Sequence, residues 1–324
     1  MTHRPHDAMF KAMFGAPEHA AALVRHSIPS RLASRIHWST MEREPASFVD
    51  DHLSERYGDL LFSVATTRGK ALLYLLIEHQ SSNDPLMPLR MLGYMVRIWT
   101  DQRKREPGPL APILPLLISH APGGWTAARR LDQLFDPDPD FAPFIPSFEL
   151  QIQDLAHLAD DEIKAWSMSA CHRLALWMLR DSRATQRLLD ILPDWREHLD
   201  EAAHTAKGLE MLGVLFHYMM LVDEALSLTE FRAKIHQLAP AANEATMTLV
   251  DKLRAEGELQ GRAEGKLQGR VEGRVELLMR QLALKFGEPS ERERARLTRA
   301  TLAELDLWAE RILVASTLDE LFAD

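Results

Sequence analysis

The amino-acid sequence predicts an α/β protein in which a small mixed sheet is flanked by helices and followed by further helices. Three observations predict this fold class. Two apolar runs are joined by a short segment that contains a glycine, a helical segment precedes a third apolar run, and helical periodicity dominates from residue 160 onward. The sheet is therefore expected in the first half of the chain.

The two apolar runs, 59–65 and 71–77, predict a β-hairpin. The connecting segment 66–70 contains Gly69, which permits a tight reversal of the chain. The second run is apolar at every position, which is typical of a central strand that is covered on both faces. A surface hairpin would instead alternate apolar and polar residues.

The remaining elements of the first half follow from periodicity. Segment 6–26 predicts a helix with an interruption at Gly15, and 89–104 predicts a helix with basic residues in its last turn, as its dipole favours. Segment 113–118 predicts a third strand, and the weak alternation of 148–155 predicts an edge strand. We expect both strands to join the sheet of the hairpin.

We predict four consecutive regions from these patterns. They are a sheet-containing core at 1–155, a helical annex at 156–250, a glycine-repeat segment at 251–275 and a small helical domain at 276–324. The only cysteine, Cys171, lies within a helical pattern and is assigned to packing.

The repeat at 256–274 has glycine at every fourth position. Each glycine costs about 1 kcal/mol in a helix relative to alanine, so an isolated helix is disfavoured. Close packing against a partner helix offsets that cost, which gives one interpretation: a linker or helix that assembles with a second copy of the chain. A solvated, frayed connector is the other interpretation.

Composition limits the class of protein. The 324 residues are 46% hydrophobic and 26% charged, as in ordinary globular proteins. No apolar run approaches the roughly 20 residues that cross a bilayer, no secretory signal is visible at the N-terminus, and a single cysteine excludes an internal disulfide. We therefore expect a cytoplasmic protein without a membrane partner.

The net charge of −9 argues against a nucleic-acid partner, because phosphate binding depends on Lys and Arg. The charge is unevenly distributed, however. Residues 1–110 contain 14 Lys and Arg against 12 Asp and Glu, about +2, and the remainder contains 24 against 35, about −11. The acidity thus lies mostly outside the predicted sheet region.

Polar side chains at the hairpin predict a metal site. If the reversal is centred between Arg68 and Gly69, Asp59 and Glu78 face each other directly, and Gln80 shares their face by strand periodicity. Two adjacent carboxylates repel each other unless a cation lies between them, and Mg²⁺ prefers carboxylate oxygens. Such a metal can activate water for phosphodiester hydrolysis. The alternative for Asp59 is a cap or turn residue.

Two further pairs of residues share a helix face. Arg90 and Tyr94 are four residues apart, so a cation and a phenol are available to contact a substrate phosphate. Alternatively they bridge the helix and the sheet. Asp7 and Lys11 are also four residues apart. They either form an ion pair or belong to the site as residues supplied by the first helix.

Five blocks of the sequence stand out by their composition and order: HDAMFKAMF at 6–14, RYGDLLFSV at 56–64, YLLIEHQSS at 74–82, RMLGYMVRIW at 90–99 and ILPLLISHAPGGW at 113–125. Together they resemble the Rpn-like family of recombination-promoting nucleases and transposases. The blocks match in order and spacing, and the resemblance covers about residues 5–250. This family resembles the PD-(D/E)XK nucleases, which implies a restriction-endonuclease-like core, DNA cleavage that depends on Mg²⁺ or Mn²⁺, and a link to recombination.

By matched position, the resemblance implies that Asp59 and Glu78 are the two metal carboxylates and that Gln80 occupies the lysine position of the superfamily motif. Arg90 and Tyr94 resemble the Gln-xxx-Tyr helix motif of the RecB-like branch, with Arg90 in place of the glutamine. Glutamine cannot supply the positive charge of lysine. The implied function is a Mg²⁺-dependent DNA endonuclease, and the alternatives are a non-catalytic DNA-binding or oligomeric protein of the same descent and a helical scaffold. The segment 275–324 resembles an accessory domain that is often appended to the family.

Overall fold

A computed structural model of the chain describes residues 5–44, 60–78, 83–136, 138–183, 187–223 and 225–322, with side chains left out at 74–78, 248–249, 251–265 and 267–268. The chain divides into two compact units, Met1–Leu249 and Val250–Asp324. The predicted boundary between a core at 1–155 and an annex at 156–250 lies within the first unit, and it stays a prediction.

The first unit contains a five-stranded mixed sheet. Its strands are paired in the order of the sequence: β1 (Ile36–Arg43), β2 (Leu60–Thr66), β3 (Gly69–Glu78), β4 (Ile113–Ser119) and β5 (Gln151–Asp154). The β1–β2 and β2–β3 pairs are antiparallel, whereas β3–β4 and β4–β5 are parallel. The predicted fold class, including the hairpin, the third strand and the edge strand, is confirmed.

The predicted hairpin register is wrong by two residues. The reversal consists of Thr67 and Arg68, Thr66 pairs with Gly69, and Leu60 pairs with Leu75. The Thr66 hydroxyl closes the turn early, because its Oγ1 donates to the carbonyl of Gly69 at 2.8 Å and accepts the N–H of Arg68 at 3.2 Å. Gly69 has φ of +128°, a conformation that favours glycine.

Strand β1 was not predicted, because its sequence lacks the signal of a half-buried strand. Only Ile36 and Met41 of its eight residues are buried, and a shift of register between His37 and Glu42 interrupts its pairing with β2. Such an irregular edge strand has no clean period-two pattern.

Helices cover both faces of the sheet. On one face, α4 (Met87–Arg105) packs Met91, Met95 and Ile98 against strand residues such as Leu117. Across the sheet, α2 (Pro17–Ser27) contacts both edge strands, β1 and β5. Residues of both faces of β3 are consequently buried, with Leu72 at 4% and Leu73 at 1% exposure, as predicted for a central strand.

The remaining elements of the first unit are helical. The helix predicted at 6–26 is divided at Gly15, whose added Cβ would lie 2.4 Å from the carbonyl oxygen of Lys11. The helices besides α2 and α4 are α1 (Pro5–Phe14), α3 (Ser30–Ala33), α5 (Asp160–Ala165), α6 (Ala170–Asp181), α7 (Leu188–Ile191), α8 (Arg196–Ala203), α9 (Ala206–Val222) and α10 (Leu228–Leu238). Short 3₁₀ segments lie at Leu131–Leu134, Pro139–Phe144, Leu155–His157, Leu192–Trp195 and Pro240–Ala242.

A buried histidine joins α1 to α6. His172 is 2% exposed, and its Nε2 lies 2.9 Å from the carbonyl oxygen of Met13. Because a carbonyl only accepts, Nε2 carries the hydrogen, and Nδ1 accepts the hydroxyl of Ser169 at 2.6 Å. Burial, aided by repulsion from His19, lowers the pKa of His172 to about 4. Cys171, its neighbour on α6, is buried as predicted, and burial raises the pKa of its thiol to about 12.

The glycine repeat lies within one continuous helix, α11 (Asn243–Phe286). A frayed connector is therefore the weaker of the two interpretations. The other interpretation, assembly with a second copy, stays a prediction. Among the described residues, and apart from the backbone of α11 itself, no atom lies within 4 Å of a Cβ added at Gly269 or Gly273.

The second unit has its own small core. The C-terminal part of α11 packs with α12 (Glu291–Arg299), α13 (Leu302–Arg311) and α14 (Leu318–Leu321) through Leu278, Leu282, Leu297, Leu305 and Trp308. Capping boxes at Ser290 and Thr301 begin α12 and α13. The predicted C-terminal hairpin is therefore a larger cluster, since α12 was missed. Within the described part of the chain, every helix is too short or too polar to cross a membrane.

We predict that stability of the first unit falls as the pH decreases from 6.5 to 4. The unfolded state binds a proton at His172 below pH 6.5, and the folded state resists it until about pH 4, so the loss is about 2–3 kcal/mol. Urea unfolding of the natural chain and of His172→Gln across this range measures the effect. An equal pH dependence of the two chains would contradict it.

We also predict that Gly269→Ala and Gly273→Ala each stabilise the second unit by about 0.5–1 kcal/mol, because alanine is the better helix former and the positions are open. Thermal unfolding followed by circular dichroism measures the change. Gly208→Ala is the control and should destabilise, since its Cβ would lie 1.9 Å from the carbonyl oxygen of Ala202. A loss of stability at 269 or 273 would instead indicate close packing by a second copy.

Candidate active site at the carboxyl edge of the sheet

The carboxyl ends of the three parallel strands form one row of polar residues. Glu78, the last residue of β3, pairs in register with Ser119, the last residue of β4, and Ser119 pairs with Asp154, the last residue of β5. Ser119 is fully buried. Carboxyl ends of parallel strands are where open α/β sheets place their ligands, so this edge is the candidate site.

Asp154 is engaged in anchoring the backbone around this edge. Its Oδ2 accepts the N–H of Trp125 at 2.7 Å and lies 2.9 Å from Nδ1 of His157, and its Oδ1 accepts the N–H of Ala156 at 3.2 Å. The side chain is 14% exposed. Asp154 therefore fixes the turn after β4 to the end of β5.

The same turn holds the segment that leads into α4. Nδ2 of Asn83 donates to the carbonyl of Gly124 at 3.0 Å and to Oγ1 of Thr126 at 2.8 Å. Gly124 has φ of +84°, and an added Cβ would lie 1.9 Å from the ring of His157 and 2.7 Å from Oδ2 of Asp154. We call residues 123–126 the glycine turn. The glycine turn is hydrogen-bonded both to Asp154 at the end of β5 and to Asn83, which precedes α4.

Arg90 and Tyr94 lie next to each other on α4, as predicted from their spacing. Nη2 of Arg90 lies 3.5 Å from the hydroxyl oxygen of Tyr94, and Nη1 of Arg90 forms an ion pair with Oδ2 of Asp84. Asp84 also accepts the N–H of Leu86 through Oδ1 at 2.9 Å, at the start of α4. Tyr94 is 7% exposed and belongs to the core under α4, whereas the Arg90 side chain is 23% exposed.

The start of α1 contributes aromatic and titratable groups beside the end of β4. Nδ1 of His6 lies 2.8 Å from the hydroxyl oxygen of Tyr218, and the His6 ring lies 4.9 Å from the ring of His120, which follows Ser119. Burial raises the pKa of Tyr218. Asp7 is 6% exposed. Both alternatives for Asp7 and Lys11, an ion pair or a contribution to the site, stay predictions.

Two of the three predicted catalytic residues, Asp59 and Gln80, lie outside the described residues, and only the backbone of Glu78 is described. The predicted pairing of Asp59 with Glu78, and the place of Gln80 beside them, therefore stay predictions.

Sequence reasoning missed Ser119, Asp154 and Asn83. The signal for Asp154 is its place at the end of a weakly alternating strand, and the signal for the glycine turn is the Gly123-Gly124 pair after an apolar strand. The partnership between them depends on residues 29 positions apart. Local patterns do not contain this information.

No group of three or more His, Cys, Asp or Glu side chains that could hold a metal occurs among the described residues. Both carboxylate oxygens of Asp154 already accept backbone N–H groups. The predicted metal ligands Asp59 and Glu78, with Gln80, are two carboxylates and an amide, and oxygen donors of these types suit Mg²⁺. Their role as metal ligands stays a prediction.

Residues 4–210 match the sequence family described as "Putative transposase, YhgA-like". The chain belongs to this family. The matched range contains the whole sheet, α4 and the glycine turn. No solved structure matches the chain significantly.

Among the relatives of this YhgA-like chain, some are named as nucleases and others are named as inactive nuclease-like proteins. "Recombination-promoting nuclease RpnA" of Escherichia coli strain K12 is 30% identical over 257 residues, 78% of this chain and 85% of RpnA. "Recombination-promoting nuclease RpnD" of Escherichia coli O157:H7 is 29% identical over 260 residues, 78% of this chain and 95% of RpnD. "Inactive recombination-promoting nuclease-like protein RpnE" of strain K12 is 29% identical over 263 residues, 80% of this chain and 85% of RpnE.

We predict that Asp154→Asn destabilises the first unit by about 1–3 kcal/mol, because an amide at this position cannot accept all of the hydrogen bonds that the carboxylate accepts from Trp125, Ala156 and His157. Urea unfolding measures the change. Glu149→Gln is a matched control, since Glu149 is exposed and lies just before β5. Equal stability of the two variants would contradict the anchoring role.

Proposed function

We propose that this protein is a metal-dependent DNA endonuclease of the recombination-promoting type, with its active site at the carboxyl edge of the sheet. The observation that carries the proposal is the placement of Glu78 at the end of β3, in register with Ser119 and Asp154. The named nuclease relatives at about 30% identity support the reaction class.

In this proposal Asp59 and Glu78 hold a Mg²⁺ ion, and Mn²⁺ is the substitute. Leu60 begins β2 opposite Leu75 at the same edge. Asp59 directly precedes Leu60 in the sequence. Two carboxylates are the kind of oxygen ligands that Mg²⁺ prefers. The bound metal would polarise the phosphodiester and lower the pKa of the attacking water.

Gln80 has a different role from the lysine that the motif implies. Its amide can orient a water molecule through its oxygen or its NH₂ group, and it cannot deliver positive charge. The cation proposed to contact the phosphate is Arg90 on α4. A guanidinium has five N–H donors, so Arg90 can keep its ion pair with Asp84 and still contact a phosphate oxygen.

Tyr94 completes the phosphate contact in this proposal. Its hydroxyl oxygen lies 3.5 Å from Nη2 of Arg90, so the two side chains can contact the same phosphate group. The glycine turn and Asn83 set the start of α4, so they are positioning residues for Arg90 and Tyr94.

A second candidate is a non-catalytic DNA-binding protein of the same descent. Two observations favour it: glutamine stands at position 80, where the motif implies lysine, and one relative of similar identity is named inactive. In this candidate the fold and the DNA contact are kept while cleavage is lost.

We expect purified protein to nick or linearise supercoiled plasmid with Mg²⁺ or Mn²⁺ and to be inactive in EDTA. Asp59→Asn and Glu78→Gln should each lower the rate by about a hundredfold or more, because each removes several kcal/mol of metal-dependent stabilisation. Asp190→Asn is the control, because this exposed carboxylate lies on α7 and not at the carboxyl edge of the sheet. It should leave the rate unchanged.

Retained cleavage in both variants would contradict the assigned site. Absence of cleavage by folded natural protein, with cleavage gained in Gln80→Lys, would support the second candidate. The gain would follow because lysine restores the positive charge beside the metal.

A further inference from the structure

The outer surface of α4 carries an apolar groove with a basic rim. The groove lies between the C-terminal half of α4 and the segment that follows it, and it is lined by Val96, Trp99, Leu110, Arg103 and Lys104. Val96 is 48% exposed and Leu110 is 50% exposed. No acidic residue lines the groove. The groove therefore suits an apolar group that is flanked by negative charge.

The segment 131–150, between β4 and β5, has the opposite character. It contains five acidic residues and no Lys, Arg or His. Three of its phenylalanines are exposed: Phe135 at 47%, Phe141 at 65% and Phe144 at 81%. Phe141 and Phe144 belong to the 3₁₀ segment Pro139–Phe144, whose N-cap is Asp138. We call 138–144 the acidic aromatic loop.

The groove and the loop are complementary in charge and in apolar character, and both stay exposed to solvent within one copy. An exposed aromatic side chain gains free energy by entering an apolar groove, and Asp138 and Asp140 have the charge that Arg103 and Lys104 attract. Yet in the same compact unit the phenylalanines and the groove both stay exposed. Clustered exposed apolar side chains of this size mark interaction sites.

We propose that the acidic aromatic loop of one copy binds the α4 groove of a second copy. Phe148, which follows the loop, and Trp99, which lines the groove, both pack against the core cluster beneath α4. A twofold axis would let each copy donate its loop and receive its partner's, which closes the assembly as a dimer.

A second copy fits the groove better than DNA does. DNA binding is driven by neutralisation of phosphates by Lys and Arg, and the groove has mostly apolar walls with its two cations at the rim. The loop would also repel DNA, because it contains Asp138 and Asp140 and no Lys, Arg or His. Contact through this surface is distinct from association through the glycine repeat of α11.

Sedimentation velocity of the full chain tests the proposal. We expect concentration-dependent association in the micromolar range, from the chain mass of 36.8 kDa toward twice that value. A loop variant with Asp138→Lys and Asp140→Lys, and a groove variant with Arg103→Glu and Lys104→Glu, should each weaken self-association about tenfold or more.

Sedimentation velocity of a mixture of the loop variant and the groove variant is the decisive experiment. The reversed loop then meets the reversed groove, so a heterodimer should form while each variant alone stays largely monomeric. Phe141→Ser with Phe144→Ser should weaken association without changing charge. Leu313→Ser with Val314→Ser is the matched control, because these residues of the second unit are 75% and 81% exposed.

The proposal is overturned if the natural chain is monomeric throughout, or if association persists in the loop and groove variants. It is also overturned if mixing the two charge-reversed variants restores nothing while each remains folded by circular dichroism. Loss of DNA binding in the groove variant of a monomeric protein would assign the groove to DNA instead.

Discussion

The parallel register of β3, β4 and β5 is the constraint on which the rest of the first unit depends. Parallel pairing sets the last residues of three strands, Glu78, Ser119 and Asp154, side by side. It also requires long crossover connections, and these are α4 and the segment 120–150. One of them carries Arg90 and Tyr94, and the other carries the glycine turn and the acidic aromatic loop. The chemistry and the proposed contact surface both follow from that arrangement.

Asp154 fixes the backbone at the carboxyl edge of the sheet through its hydrogen bonds. A carboxylate that accepts two backbone N–H groups ties the glycine turn to β5, and Asn83 ties the same turn to the start of α4. Small errors in the position of a phosphate contact are costly in catalysis. Asp154 and Asn83 thus hold the backbone around the edge at which we propose the metal and phosphate contacts.

The helical elements serve a different purpose from the edge. Phe10 and Phe14 of α1 are fully buried, and α1 contacts α6 and α9, which come more than 150 residues later in the chain. The helical annex therefore supports the N-terminal helix whose His6 lies beside His120. This packing explains why the first compact unit runs to residue 249 and does not end with the sheet.

The sequence by itself determined the hairpin, the buried character of β3, helix α4 and the neighbouring positions of Arg90 and Tyr94, because each can be recognised from the pattern of residues a few positions apart. The tertiary structure alone decided the two-residue shift of the hairpin register, the irregular strand β1, the continuity of α11 and the joining of Asp154 to Trp125. In the hairpin, the side chain of Thr66 overrides the expectation from Gly69. The anchoring of the edge depends on parallel pairing between distant segments, and no local periodicity encodes which distant partner a strand end will meet.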